Sequence, residues 1–321
     1  MTGVGVGVVS TALVVVWALV AALLVATGLV HVVRVGLARR RRRGDDIARP
    51  MVSAYALGEQ DAEERLRRAS GLLGDRVDER LLALLDVLSG ESRQRLVDML
   101  VERGHPQRLR RRLGSPFAST RAAAVRRLGS LGLPEDGELL TAALGDRSPI
   151  VRSVASRALA SYPSRRVVER VLMLVREDRE VPVLVLVNAL LALGERNPVC
   201  CDAIREGMRS SSPRVRAACA KTVGLLTSVA DAARVARLLY TDPDPMVQLA
   251  CANALTRIGT GASVPALRMG LDSPWPQVRA ECQRALRALP KGLSSPAVTA
   301  IEADPLRPTL RVPAVPVLDG I

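Results

Sequence analysis

Six stretches of this chain align on one another at steps of 31, 32, 32, 32 and 31 residues, beginning at Arg121, Arg152, Leu184, Arg216, Gln248 and Arg279. A spacing that regular means one small structural unit stacked on copies of itself. Within each stretch the fourth position holds a small or apolar residue: Ala124, Ala155, Val187, Cys219, Cys251 and Cys282. The eighth holds Leu128, Leu159, Leu191, Val223, Leu255 and Leu286. Positions four apart share one helical face, so both columns are predicted to point into a core. Composition supports helices over strands. Hydrophobic residues make up 48% of the chain but aromatics only 2%, so Ala, Leu and Val must build the core. Such side chains suit closely packed helices, whereas a sandwich or barrel draws on aromatic and β-branched residues.

A second, shorter apolar-periodic stretch follows each of the first five, over 138–144, 167–175, 201–208, 232–239 and 264–271. The unit is therefore helix–turn–helix. Ser148-Pro149, Ser212-Pro213, Asp244-Pro245 and Ser273-Pro274 stand before first helices, Ser or Asp as the N-cap and Pro in the first turn. Upstream, 62–73 with 77–88 and 92–101 with 107–113 read as degenerate pairs that cap the stack. The expected organisation is a transmembrane helix over 1–37, a basic juxtamembrane linker over 38–59, and a solenoid over 60–303. The solenoid divides into capping repeats at 60–113 and regular repeats at 114–303, and a Pro-rich tail follows at 304–321. Pro305, Pro308, Pro313 and Pro316 forbid a helix in that tail.

The recurring Ser/Asp-Pro-x-Val-Arg-x-x-Ala-x-x-x-Leu pattern, as in Ser148-Pro149-Ile150-Val151-Arg152 and Ser212-Pro213-Arg214-Val215-Arg216, resembles the short HEAT repeats of phycobilisome-lyase-like and other bacterial HEAT-repeat proteins. The resemblance covers 115–300 well and 60–113 weakly. It implies an all-α, armadillo-like solenoid whose second helices line the binding surface, and it says almost nothing of function. The third unit departs from it: Glu180-Val181-Pro182 replaces the usual start, and Leu184 replaces arginine.

From Val4 to Val33 there is no Asp, Glu, Lys or Arg. As one helix, at ~1.5 Å per residue, that run exceeds the ~30 Å hydrocarbon core of a bilayer. Its length, and the arginines after it, argue against a cleaved signal peptide. Arg34, Arg39, Arg40, Arg41, Arg42 and Arg43 follow it and no charged side chain precedes it. Positive flanks stay cytoplasmic, so the expectation is a single-pass cell-membrane protein with its N-terminus outside and its solenoid in the cytoplasm. The arginine run then fixes topology or touches anionic headgroups.

Catalytic chemistry has little to work with. The chain has two histidines, His31 and His105, and neither falls in the six aligned stretches. A Ser–His or Cys–His nucleophile pair and a His-based metal site are excluded there. The five cysteines follow no disulfide or paired zinc spacing. Cys219, Cys251 and Cys282 read as small core residues. Asp146, Asp178 and Asp242, with Ser210 in the gap, precede first helices and read as loop and cap residues. Arg121, Arg152, Arg216 and Arg279 read as structural, bonding loop carbonyls or those aspartates.

The candidate binding residues lie on the second helices: Arg170, Arg205, Arg209, Arg234, Arg237 and Arg268. Such a stripe either grips an acidic peptide or phosphates, or is a solvated face neutralised by Glu169 and Glu206. The cluster Arg103, Arg108, Arg110, Arg111 and Arg112 suits a membrane surface or nucleic acid. Trp275 is either an exposed anchor or packed on the next unit. The predicted function is a scaffold that binds a protein partner, with no enzyme activity, cofactor, metal or small-molecule substrate. The partner would belong to an envelope-assembly or signalling complex. Nucleic-acid binding, allowed by a net charge of +14 but disfavoured by the lack of stacking aromatics, is the alternative, and a lyase-like enzyme the third.

Overall fold

The structure, a computed structural model, describes residues 44–289 together with 17, 20, 22–29, 31 and 34. Secondary structure among the described residues is helical, without strands. The chain divides into two compact units, Met1–Ser115 and Pro116–Ile321.

In the first unit, helical residues 44–56 precede α1 (Gln60–Arg68), α2 (Gly71–Leu85), α3 (Gly90–Glu102) and α4 (His105–Arg112). Of the two readings the sequence allows for 44–59, a linker or a short lead-in helix, residues 44–56 take the helical one. Ala48 and Val52, four apart, are buried there, and the Tyr55 hydroxyl donates to the Arg95 carbonyl at 3.0 Å. Leu66, Leu81, Leu96, Leu100 and Leu109 fill the interior, each such burial worth ~1.5–3 kcal/mol.

In the second unit, α5 (Ala118–Leu131) and α6 (Gly137–Ala142) form the first pair. Then come α7 (Pro149–Ala158) with α8 (Arg165–Glu177), and α9 (Val183–Arg196) with α10 (Pro198–Gly207). The last are α11 (Pro213–Leu225) with α12 (Ala232–Thr241), α13 (Pro245–Ile258) with α14 (Ser263–Met269), and α15 (Pro276–Ala288). First helices stack in one layer, α5 on α7 and so on to α13 on α15; in the second layer α8 packs on α10 and α12 on α14. This is the α-solenoid that the repeat spacing predicts.

All six fourth-position residues are buried, as are Leu128, Leu159, Val223 and Leu255 of the eighth. Leu191 and Leu286 are half-buried. The third repeat shows why its column slips. The other first helices begin three residues before the aligned position, whereas α9 begins at Val183, one residue before Leu184. Its core residues are Leu186, Val187 and Leu190. Small residues let the first helices touch. A Cβ on Gly129 would lie 2.5 Å from the Ala158 Cβ, and one on Gly224 would lie 2.5 Å from the Ala254 Cα. Cys219 and Cys282 likewise fill the space against Gly207 and Gly270.

One expectation is overturned. No helix among the described residues is long and apolar enough to cross a membrane. The single-pass cell-membrane location, with the N-terminus outside and the solenoid in the cytoplasm, is withdrawn. Arg34 is an exposed helical residue; Arg39 to Arg43, residues 1–16 and the tail at 304–321 lie outside the described residues.

Candidate binding surface

The arginines of this chain have two fates, set by what lies one repeat further on. Those opening first helices are tied down. Arg121 donates to both Asp146 oxygens at 2.7 and 2.8 Å and to the Pro116 carbonyl at 3.1 Å. Arg152 reaches Asp178 at 2.6 Å and the Asp146 carbonyl at 2.8 Å. Arg216 reaches Asp242 at 2.6 and 2.8 Å and the Ser210 carbonyl at 2.9 Å. Each guanidinium thus joins the loop before its own helix to the aspartate before the next first helix. Where the column holds Gln248, the partner shrinks to match: Gln248 donates to the Asp242 carbonyl at 2.7 Å and accepts from the Ser273 hydroxyl at 2.7 Å. Arg279 ends the series on the Ser273 and Pro274 carbonyls at 2.8 and 3.0 Å.

The aspartates also shape their turns. The main-chain N–H of Ser148, Glu180 and Asp244 donates to Asp146, Asp178 and Asp242 at 2.8, 2.7 and 3.0 Å. Ser148 and Ser212, expected as side-chain N-caps, make no such cap bond; instead their own N–H groups donate to Asp146 and Ser210, two residues upstream, which fixes the turn rather than the helix end. Asp244 does cap, accepting from Met246 N–H at 2.8 Å. Ser273-Pro274 is displaced too, because α15 begins at Pro276 with the exposed Trp275 at its N-cap. Hydrogen bonds from Arg121 hold the Asp146 carboxyl below the usual carboxylate range. At Asp178 burial pushes the other way, but Arg152 and two main-chain amides outweigh it and the shift is downward.

The second-helix arginines divide. Arg205 is not available: its Nε lies 2.9 and 3.0 Å from the Asp231 carboxylate and Nη1 2.7 Å from Asp202. Arg234 lies 3.7 Å from the same Asp231. Arg170, Arg209, Arg237 and Arg268 are exposed. None of these four has an ion pair among the described residues. They lie on or just after α8, α10, α12 and α14, one from each second helix in turn. Glu169 and Glu206, expected to neutralise the stripe, pair instead with Arg165. Exposed Met173 and Met269 stand on the same helices.

The basic cluster of the first unit is partly interior. Asp78, 2% exposed, accepts from Arg103 Nε at 2.6 Å, lies 3.0 Å from His105 Nδ1, and bonds Arg108. Arg103 also holds the Leu66, Ala69 and Gly74 carbonyls, closing the end of α1. Burial raises the Asp78 carboxyl, yet His105 and Arg103 more than offset it and hold it low. Of the five arginines expected at a membrane or nucleic acid, Arg103 is thus buried in its own unit; Arg111 and Arg112 are exposed.

The cysteines are free thiols. Burial pushes Cys219 up to about 12 and Cys282 up to about 11, and Cys251 further in the same direction, so these sulfurs are protonated and inert. Cys201 donates to the Gly194 carbonyl at 3.2 Å. No group of three or more His, Cys, Asp or Glu among the described residues is placed to hold a metal ion.

Among curated proteins no sequence relative matches. Solved structures resemble the chain loosely. Human deoxyhypusine hydroxylase is 20% identical, covers 68% of this chain and 99% of its own, and superposes with a TM-score of 0.27. A designed armadillo repeat protein is 17% identical over 58% of this chain and 99% of its own, with a TM-score of 0.32. The CpcE–CpcF complex of phycocyanin lyase from Nostoc sp. PCC7120 is 16% identical over 66% and 94%, with a TM-score of 0.31. Superposition that loose carries no argument about activity. The family model for HEAT repeats is more informative. It matches residues 77–160 and 201–287, more than half of the chain, and passes over the stretch that holds the aberrant third first helix. With the ladder, the stacked helix pairs and that match together, the chain belongs to the HEAT-repeat family.

Proposed function

We propose that this protein is a non-catalytic scaffold that binds a protein partner of acidic surface through its second-helix layer. The observation that carries the reading is the contrast between arginines. Every first-helix arginine named above bonds the stack itself, whereas Arg170, Arg209, Arg237 and Arg268 stand exposed and unpaired on successive second helices. Unpaired guanidiniums on four successive second helices, at steps of 39, 28 and 31 residues, favour carboxylates spread along an extended or helical segment. Met173 and Met269 add adaptable apolar contacts beside them. An aromatic content of only 2% leaves little for base stacking, which disfavours nucleic acid. Exposed ion pairs are worth ~0.2–1 kcal/mol each, so four of them account for at most about a thousandfold in affinity.

The test compares capture by the full-length protein with capture by R170E/R209E/R237E/R268E, the fold being checked by circular dichroism. A partner bound by the first, lost by the second and only moderately sensitive to salt supports the proposal. A partner retained after charge reversal sinks it. Binding that falls linearly and steeply with log salt points to nucleic acid instead.

A further inference from the structure

The ladder has one missing rung. Between neighbouring first helices the pairs are Arg121–Asp146, Arg152–Asp178, Arg216–Asp242 and Gln248–Ser273. At the seam between α9 and α11 the corresponding residues are Leu184 and Ser210. The Leu184 side chain has no hydrogen-bonding group, and the residue is 63% exposed. The Ser210 hydroxyl turns inward to accept from the Ser212 N–H at 3.2 Å. On the other layer this seam is pinned, since Arg205 on α10 grips Asp231 at the start of α12. That carboxylate is buried and also accepts from the Ser228 hydroxyl at 2.6 Å. The seam is therefore tied on its second-helix side and untied on its first-helix edge, the reverse of the seam between α11 and α13. The third first helix also starts late, and the family model passes over it.

We propose that the seam between the α9–α10 repeat and the α11–α12 repeat is a hinge. It opens along the first-helix edge and pivots on the Arg205–Asp231 pair. The hinge falls between Arg209 and Arg237, so its angle sets the spacing of the exposed arginines. That consequence rests on the function proposed above; the hinge does not.

Hydrogen exchange on the full-length protein without any partner reads the hinge directly. Helix-bonded amides in the N-terminal halves of α9 and α11, beyond the first turns whose capping differs, are expected to exchange at least about 5-fold faster than the matching amides of α13, because local opening costs less where a cross-link is absent. The second arm completes the ladder with L184R/S210D. Expected are a rise in Tm of about 2–4 °C beyond the sum of the single variants and slowed exchange at the same amides. Equal exchange at the two seams overturns the proposal, and so does a double variant that merely adds its singles. If the double variant does not fold, the exchange pattern of the unaltered protein decides alone. Loss of partner capture with the exchange pattern intact would fault the binding surface and leave the hinge standing.

Discussion

Arg216 and Arg237 are twenty-one residues apart, carry the same charge and recur at the same repeat spacing, yet they do opposite things. Arg216 is mostly buried between two loops, with a carboxylate on one side and a carbonyl on the other. Arg237 points to solvent from the outer face of α12. The difference lies in what the next repeat presents. An aspartate one repeat on turns an arginine into mortar, and where none faces it the arginine stays free to meet another molecule.

That contrast breaks most readily at Arg216. Arg216→Ala leaves the Asp242 carboxylate, 2% exposed, without its partner and is expected to cost about 3 kcal/mol, read as a fall in the urea midpoint. A change within the error of the measurement would place first-helix and second-helix arginines in one class. Close packing of the same layer is probed by Gly224→Ala, whose Cβ meets Ala254 at 2.5 Å; overpacking there should cost about 1–3 kcal/mol. Acid sharpens the comparison further. Asp146 and Asp178 have lowered folded pKa values, so their stabilisation is complete above the unfolded value of about 3.9 and is lost as pH falls below it through the folded values. Thermal unfolding should therefore show a fall in Tm beginning near pH 4. In R121A/R152A, which lacks the partners of both carboxylates, that fall should be shallower. The smallest effect is expected on the other layer. R237E/R268E should leave stability within about 0.5 kcal/mol while weakening an acidic partner by about tenfold or more.

Much of this was legible before any coordinates. The small fourth-position column, the Leu column and the cap-and-Pro pairs place the first helices. Leu191 and Leu286 departed from their column because a late helix start and the end of the stack alter which face is covered. The fate of Arg205 was missed, although a signal existed. Arg121–Asp146, Arg152–Asp178, Arg216–Asp242 and Arg205–Asp231 are all 25 or 26 residues apart, which is the interval from one helix to the loop facing it in the next repeat. Arg209, Arg237 and Arg268 have no carboxylate at that interval; Arg170 has Glu195 there and still stays unpaired, so the interval alone does not decide. The Asp78 cluster offered no such rule, since its members come from a degenerate pair and meet around one buried carboxylate.

Repetition determined the architecture, because a helix pair that cannot bury its apolar face alone must stack on its neighbour, and a fixed step of about 32 residues leaves few ways to do so. Only the tertiary structure decided which charges are spent inside the stack and which remain outside. A salt bridge between repeats depends on two loops meeting within about 3 Å; the residue types set what each end offers, and the packing of α9 on α11 or α11 on α13 decides whether the ends meet.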